Sequence, residues 1–209
     1  MQMVFLVLLL CALKARAEDP AEVAREVLGS PDLRYTTTWT VPCSGRTFEA
    51  LVASPLLTAR VWDAYGYAPA YRARALGDTL LLLDPTGLEG KALLLSRTPS
   101  EMRYLVYGKL DHWAVPFFNR GLAVMSLRSA EEEGGIVCQV EIAIRAESTL
   151  SSLVLQAAED LIMERVRNRV TLNLADAASI FVAVDRDPAA VKQKLNAEDG
   201  RGLDAALTR

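Results

Sequence analysis

Apolar positions change period twice along the chain, and the changes divide it into three kinds of element. Residues Asp19 to Gly29 (DPAEVAREVLG) read as a short helix, with Pro20 in its first turn and Gly29 as its stop. Tyr35 to Val41 (YTTTWTV) gathers β-branched and aromatic residues and ends at Pro42, which predicts a strand. Ser44 is placed to cap RTFEALVA, and Ser54-Pro55 opens LLTARVWDAYGY. In that stretch Leu57, Val61, Ala64 and Tyr65 recur at helical spacing.

From Tyr71 the period shortens. YRARAL, TLLLLD, KALLLSR, EMRYLVYGKLDHW, GLAVMSLR and IVCQVEIAIRA are short runs separated by turn signals, and they predict an antiparallel meander of six strands. In the last, Ile136, Cys138, Val140, Ile142 and Ile144 face one way and Val137, Gln139, Glu141 and Ala143 the other, one side dry and one wet. Glu131 to Glu133 belong to the polar turn before it and read as solvated carboxylates.

After Ser148-Thr149 the helical period returns. Leu150, Val154, Ala157, Leu161, Met163 and Val166 begin an apolar stripe that Val170, Leu174, Ala177 and Phe181 continue. The pattern fits one helix or two broken near Thr171-Leu172-Asn173. Residues beyond Asp185 are small and charged, a tail with a short helix from Pro188 and a loose end. The organisation read from the chain is 1–17 as a signal peptide, 18–34 as a helical lead-in, 35–184 as the domain and 185–209 as the tail.

The chain has 209 residues, a formal net charge of −3 and a single histidine, so it offers no basic field to nucleic acid and no histidine set for a metal. No cofactor motif is present, neither a glycine-rich phosphate loop nor a nucleophile elbow. The run Met3 to Leu13 is continuously apolar, too short to span a bilayer and long enough for a signal-peptide core, with Ala15-Arg16-Ala17 as a small-x-small cleavage site. Lys14 and Arg16 follow that run, against the usual charge bias. We read the chain as exported, periplasmic or secreted, or as cytoplasmic if its start is misassigned. Past that segment Cys43 and Cys138 are the remaining cysteines, a disulfide pair or two buried thiols.

The candidate chemistry gathers around GKLDHWAVPFF, Gly108 to Phe118, which holds His112. A neutral imidazole there could orient a ligand or exchange a proton, or simply close a strand through a hydrogen bond. Trp62, Tyr65, Tyr104, Tyr107, His112, Trp113, Phe117, Met125 and Met163 are the material of a pliable apolar pocket with a few polar groups to orient a guest.

The order strand, two short helices, meander, long helix resembles the START-like superfamily (also SRPBCC or Bet v 1-like), over about Tyr35 to Val184. The residues that carry the resemblance are TTTWTVPCSGRTFEALVASPLLTARVWDAYG, the meander, and the helix from STLSSLVLQAAEDL. It implies an α+β helix-grip fold, a curved antiparallel sheet of about seven strands around a long C-terminal helix. It also implies a cavity between sheet and helix for lipids, sterols, polyketides or other apolar molecules. The resemblance makes the first and last strands neighbours, which brings Cys43 and Cys138 together and favours the disulfide. The function expected is binding or carriage of a lipid-like molecule, with transient membrane contact and no catalysis. The alternatives are a cyclase or dehydratase using His112 with Tyr107, and a non-catalytic envelope interaction protein.

Overall fold

The computed structural model describes residues 19–67, 72–77, 79–83, 88–110, 120–157 and 159–208. The expected signal segment, His112, Trp113 and Phe117 lie outside the described residues. The elements run α1 (Pro20–Gly29), β1 (Leu33–Val41), α2 (Gly45–Val52), α3 (Pro55–Ala64), β2 (Arg72–Leu76), β3 (Thr79–Leu83), β4 (Leu88–Arg97), β5 (Glu101–Leu110), β6 (Arg120–Glu132) and β7 (Gly135–Ala146). They continue with α4 (Thr149–Ala157), α5 (Glu159–Arg186), α6 (Pro188–Gln193) and α7 (Ala197–Leu207).

Local chemistry sets these boundaries as the sequence predicts. The Asp19 side chain accepts the Ala21 N–H at the head of α1, and Ser44 Oγ accepts the Thr47 N–H at the head of α2. The seven strands form one antiparallel sheet in the order β1-β7-β6-β5-β4-β3-β2, a meander whose last strand returns beside the first. This is the helix-grip architecture. At the β6–β7 hairpin Gly135 has φ of 142°, and a Cβ there would lie 2.2 Å from the Val41 carbonyl oxygen, so only glycine lets β1 pass this close.

Register assigns every side chain to a face, because directly paired residues of an antiparallel ladder point the same way. The concave face carries Val41, Ile136 and Cys138, which pack with Phe48 and Leu51 of α2, Val61 and Trp62 of α3, and Ile180, Phe181 and Val184 of α5. Helices and sheet thus share one core at the β1–β7 end.

The convex face holds a second core. Val23, Ala24 and Val27 of α1 close over Leu105, Val124 and Ala143, consecutive members of one row across β5, β6 and β7. Arg34, the next member of that row on β1, donates to the Leu28 carbonyl at 2.8 Å and pairs with Glu141, while Arg145 meets Glu26 at 3.2 Å. The expectation of a wet convex side to β7 therefore fails at Ala143, fully buried beneath α1.

At the C-terminus α5 runs unbroken through Thr171-Leu172-Asn173, where the pattern left a break open. One expectation there needs correction: residues 185–208 are not a loose tail. Asp187 and Asn196 cap α6 and α7, and Val191 and Leu203 from them are buried in the concave-face core. The turn before β7 is also shorter than expected, since Glu131 and Glu132 are paired in β6 with Ile136 and Gly135.

Candidate functional site

The concave face between the packed core and the far edge of the sheet is the candidate site. Its floor is built by register. Gly121, Gly108 and Gly90 lie side by side across β6, β5 and β4. The next row is Ile144, Ala123, Val106 and Ala92, and the one after is Ile142, Met125, Tyr104 and Leu94. Glycine inside a strand marks a place where another backbone or a ligand comes close. Three in one row remove every side chain from a band of the floor.

The roof is α5. Its stripe Met163, Val166, Val170, Leu174, Ala177, Phe181 and Val184 runs from half-buried at the N-terminal end to buried at the C-terminal end. The core closes around Phe181 and Val184 and reaches only as far as Ala177 on the helix and Leu127 on the sheet. Beyond that limit Val106, Met125, Ile142 and Ile144 below, and Ile162, Met163, Val166 and Val170 above, are all half-buried.

Polar groups on this face are few. Burial raises the Tyr104 hydroxyl above its usual value, so it stays neutral and serves as a hydrogen-bonding group, not as a base. Trp39 Nε1 is buried with no acceptor among the described residues. Its ring packs against Phe181 at 5.9 Å and Phe48 at 6.5 Å, and those two meet edge-on at 5.6 Å. Among the described residues, charged residues appear on this face only toward the end with the β4–β5 and β6–β7 turns, Arg97 on β4 and Glu131 on β6.

A cleft of about 30 Å³ opens where α2 meets the β4–β5 turn, with Phe48, Val52, Met102 and Leu127 as apolar walls and Glu49 and Arg97 among its polar lining residues. It holds little more than a water, far short of the roughly 300 Å³ at which small-molecule sites begin. Phe48 and Leu127 belong to or pack against the core, so the cleft lies at the core end of the sheet, away from the glycine row. Glu101, which also lines it, is held by Arg103 at 2.9 Å and Arg128 at 3.1 Å.

The predicted residues separate into three groups. Tyr104 and Met125 are direct cross-strand partners on the concave floor, and Met163 lies on the half-buried stripe of α5. Trp62 in α3 and Tyr65 at its C-cap lie within or against the packed core: Trp62 meets Tyr67 edge-on at 6.0 Å, and Tyr65 stacks on Tyr67 with Lys194 over its ring at 5.2 Å. Tyr107 is on the convex face, opposite Lys91 and Leu122, and cannot share a site with Tyr104. The alternation of β5 already requires this, one residue of parity separating the two faces.

Cys43 and Cys138 belong to the same core but are free thiols, so the expected disulfide is not formed. Cys138 lies opposite Trp39 in the ladder, whereas Cys43 comes after β1 has ended, its N–H turned back onto the Val41 carbonyl at 2.9 Å. Burial pushes Cys43 up to about 11 and Cys138 up to about 12, and neither is a nucleophile at neutral pH.

Sequence reasoning passed over the glycine row and also Asp185. The Asp185 carboxylate accepts from Ser44 Oγ at 2.5 Å and Thr47 Oγ1 at 2.7 Å, latching the end of α5 to the head of α2. Burial acts to raise this carboxyl, but the bonds from Ser44 and Thr47 outweigh it and hold it below its ordinary value.

No family model matches the sequence, and no curated protein matches it. Solved structures do share the fold. A conserved protein from Geobacillus kaustophilus aligns with a TM-score of 0.52 at 6% identity, over 72% of this chain and 95% of that one. Protein Ms6760 from Mycobacterium smegmatis aligns with 0.51 at 15% identity, over 73% and 93%. Ara h 8.0201 aligns with 0.49 at 10% identity, over 72% and 98%. At these identities the likeness is one of fold. The protein has the helix-grip fold, one curved antiparallel sheet with a long C-terminal helix.

Proposed function

We propose that the protein binds an uncharged, lipid-like small molecule against the glycine-centred part of the concave face, beneath the N-terminal half of α5. One observation carries this reading: the apolar residues of the concave floor around the glycine row and those of the N-terminal half of the α5 stripe lie outside the packed core and are half-buried. Filling that space with apolar matter would remove their surface from water, at about 25 cal/mol per Å². A charged guest would be desolvated there without a counter-charge, because the described floor carries no charged residue from the Leu94–Tyr104–Met125 row to the glycine row. Tyr104 would orient the guest through its neutral hydroxyl. Export is part of the proposal and rests on the Met3–Leu13 run alone.

The enzymatic alternative is weaker in the form that pairs His112 with Tyr107, since Tyr107 is on the other face of the sheet. Titration with the neutral fluorophore N-phenyl-1-naphthylamine tests the binding reading. Saturable binding to one site is expected, displaced by a long-chain alcohol and weakened about tenfold or more by Val106→Trp, a loss of roughly 1.4 kcal/mol. Absence of saturable binding, or an unchanged affinity in a folded Val106→Trp protein, would sink it.

A further inference from the structure

The convex face is divided between a covered half and a bare half. The row that α1 covers continues past Leu105 through Leu93 on β4 and Thr79 on β3 to Leu76 on β2. Helix α1 lies along this row with its C-terminal end at Arg34 and β1. Its other end therefore points over β5 toward β4.

The bare half combines exposed apolar and basic groups. Leu76 is 57% exposed and Tyr107 40% exposed. Arg74, Leu81, Lys91 and Tyr107 follow one another across β2 to β5, with Arg72 one pleat further along β2. Arg72, Arg74 and Lys91 are exposed, and Glu89 is the one exposed acid on this side of β2 to β4 among the described residues. A local basic surface on a chain of net charge −3 is not explained by composition. Apolar groups interleaved with cations over several strands match an interface of acyl chains under anionic headgroups. An extended acidic peptide would be read along one strand, whereas these groups spread across four.

We propose that the convex face of β2–β5 is a peripheral membrane-contact surface for anionic lipid, with Arg72, Arg74 and Lys91 at the headgroups and Leu76 and Tyr107 at the interface. The contact lies on the side of the sheet opposite the concave site, so the two can be occupied together. It is peripheral: among the described residues no helix is long and apolar enough to cross a membrane. The three cations and Leu76 belong to the folded domain and persist whatever becomes of the N-terminal run.

Flotation of the full chain tests this on vesicles of phosphatidylcholine alone and of phosphatidylcholine with phosphatidylglycerol at about 3:1. Preference for the anionic vesicles is expected, with release as salt shortens the screening length. The variant Arg72→Gln/Arg74→Gln/Lys91→Gln should lose about fivefold in partitioning per charge, on the order of 100-fold together. Arg186→Gln/Arg201→Gln, on the C-terminal helices and outside the convex face, should stay near the parent. Equal binding to both vesicles, or a folded triple variant that partitions like the parent, would overturn the proposal; the latter would assign binding to the N-terminal run. Should the triple variant fail to fold, Lys91→Gln alone and the salt dependence of the parent decide in the same way.

Discussion

Gly108 separates an open concave floor from one filled by the chain itself. It lies in the middle of β5 between Gly90 and Gly121, with its φ in the ordinary extended range. A Cβ built there would have its nearest neighbour at 3.8 Å, the Gly121 carbonyl oxygen, which is ordinary contact. Gly108→Val therefore introduces no clash among the described residues. It replaces a residue that weakens strands by one that favours them, a gain of about 0.5–1 kcal/mol. For a domain of this size that amounts to a rise in Tm of roughly 2–4 °C. The same isopropyl group would stand in the proposed site and should weaken N-phenyl-1-naphthylamine binding about tenfold or more. Thermal unfolding by circular dichroism and a fluorescence titration on the same preparation read both effects. A loss of 2 kcal/mol or more would refute the reasoning. It would mean that protein already packs against the glycine row, because overpacking a filled site costs about 1–3 kcal/mol.

Three further outcomes follow from the rest of the structure. Leu203, fully buried from α7, should cost about 2–4 kcal/mol on substitution by alanine, read from urea unfolding; an effect below about 0.5 kcal/mol would return residues 185–209 to the status of a tail. Asp185→Asn should lose about 1 kcal/mol at neutral pH through its weakened bonds to Ser44 and Thr47. Since the folded carboxyl lies below its unfolded value of 3.8, that contribution is present above pH 3.8 and disappears as pH falls through the folded value; a deficit persisting at pH 2 would contradict the latch. Cys43 and Cys138 should resist iodoacetamide at pH 8 in the native protein and both react once it is unfolded, as peptide mass mapping would show, whereas a mass 2 Da lower without alkylation would reveal a disulfide.

The meander was legible in the sequence because turn signals divide it into runs too short for helices, and consecutive antiparallel strands pair by default; that its last strand closes beside the first came from the family resemblance. The cap at Ser44 and the helix starts at Pro20 and Ser54-Pro55 were equally local. Partnership was not legible. The stripe Val23, Ala24 and Val27 says that α1 buries one side, but nothing in ten residues says that the side is the convex face of β5–β7. The glycine row needs three registers at once, and Gly90, Gly108 and Gly121 are unremarkable until strands align them. Parity, by contrast, was readable. Tyr104 and Tyr107 stand an odd number apart in a regular strand, so expecting both in one pocket overrode the alternation that the same strand displays. The small residues of α6 and α7 misled for a different reason: their stripe is two leucine-sized groups deep, Val191 and Leu203, too sparse to register as periodicity.

The central claim is that the space between the glycine row and α5 takes up an uncharged apolar molecule. Native mass spectrometry of the full chain, purified gently and measured before and after organic extraction, tests it most directly. The account predicts an adduct of lipid-like mass that is lost on extraction and regained from a neutral lipid extract, and not regained by Gly108→Val. A single mass throughout, unchanged after incubation with that extract, would contradict it.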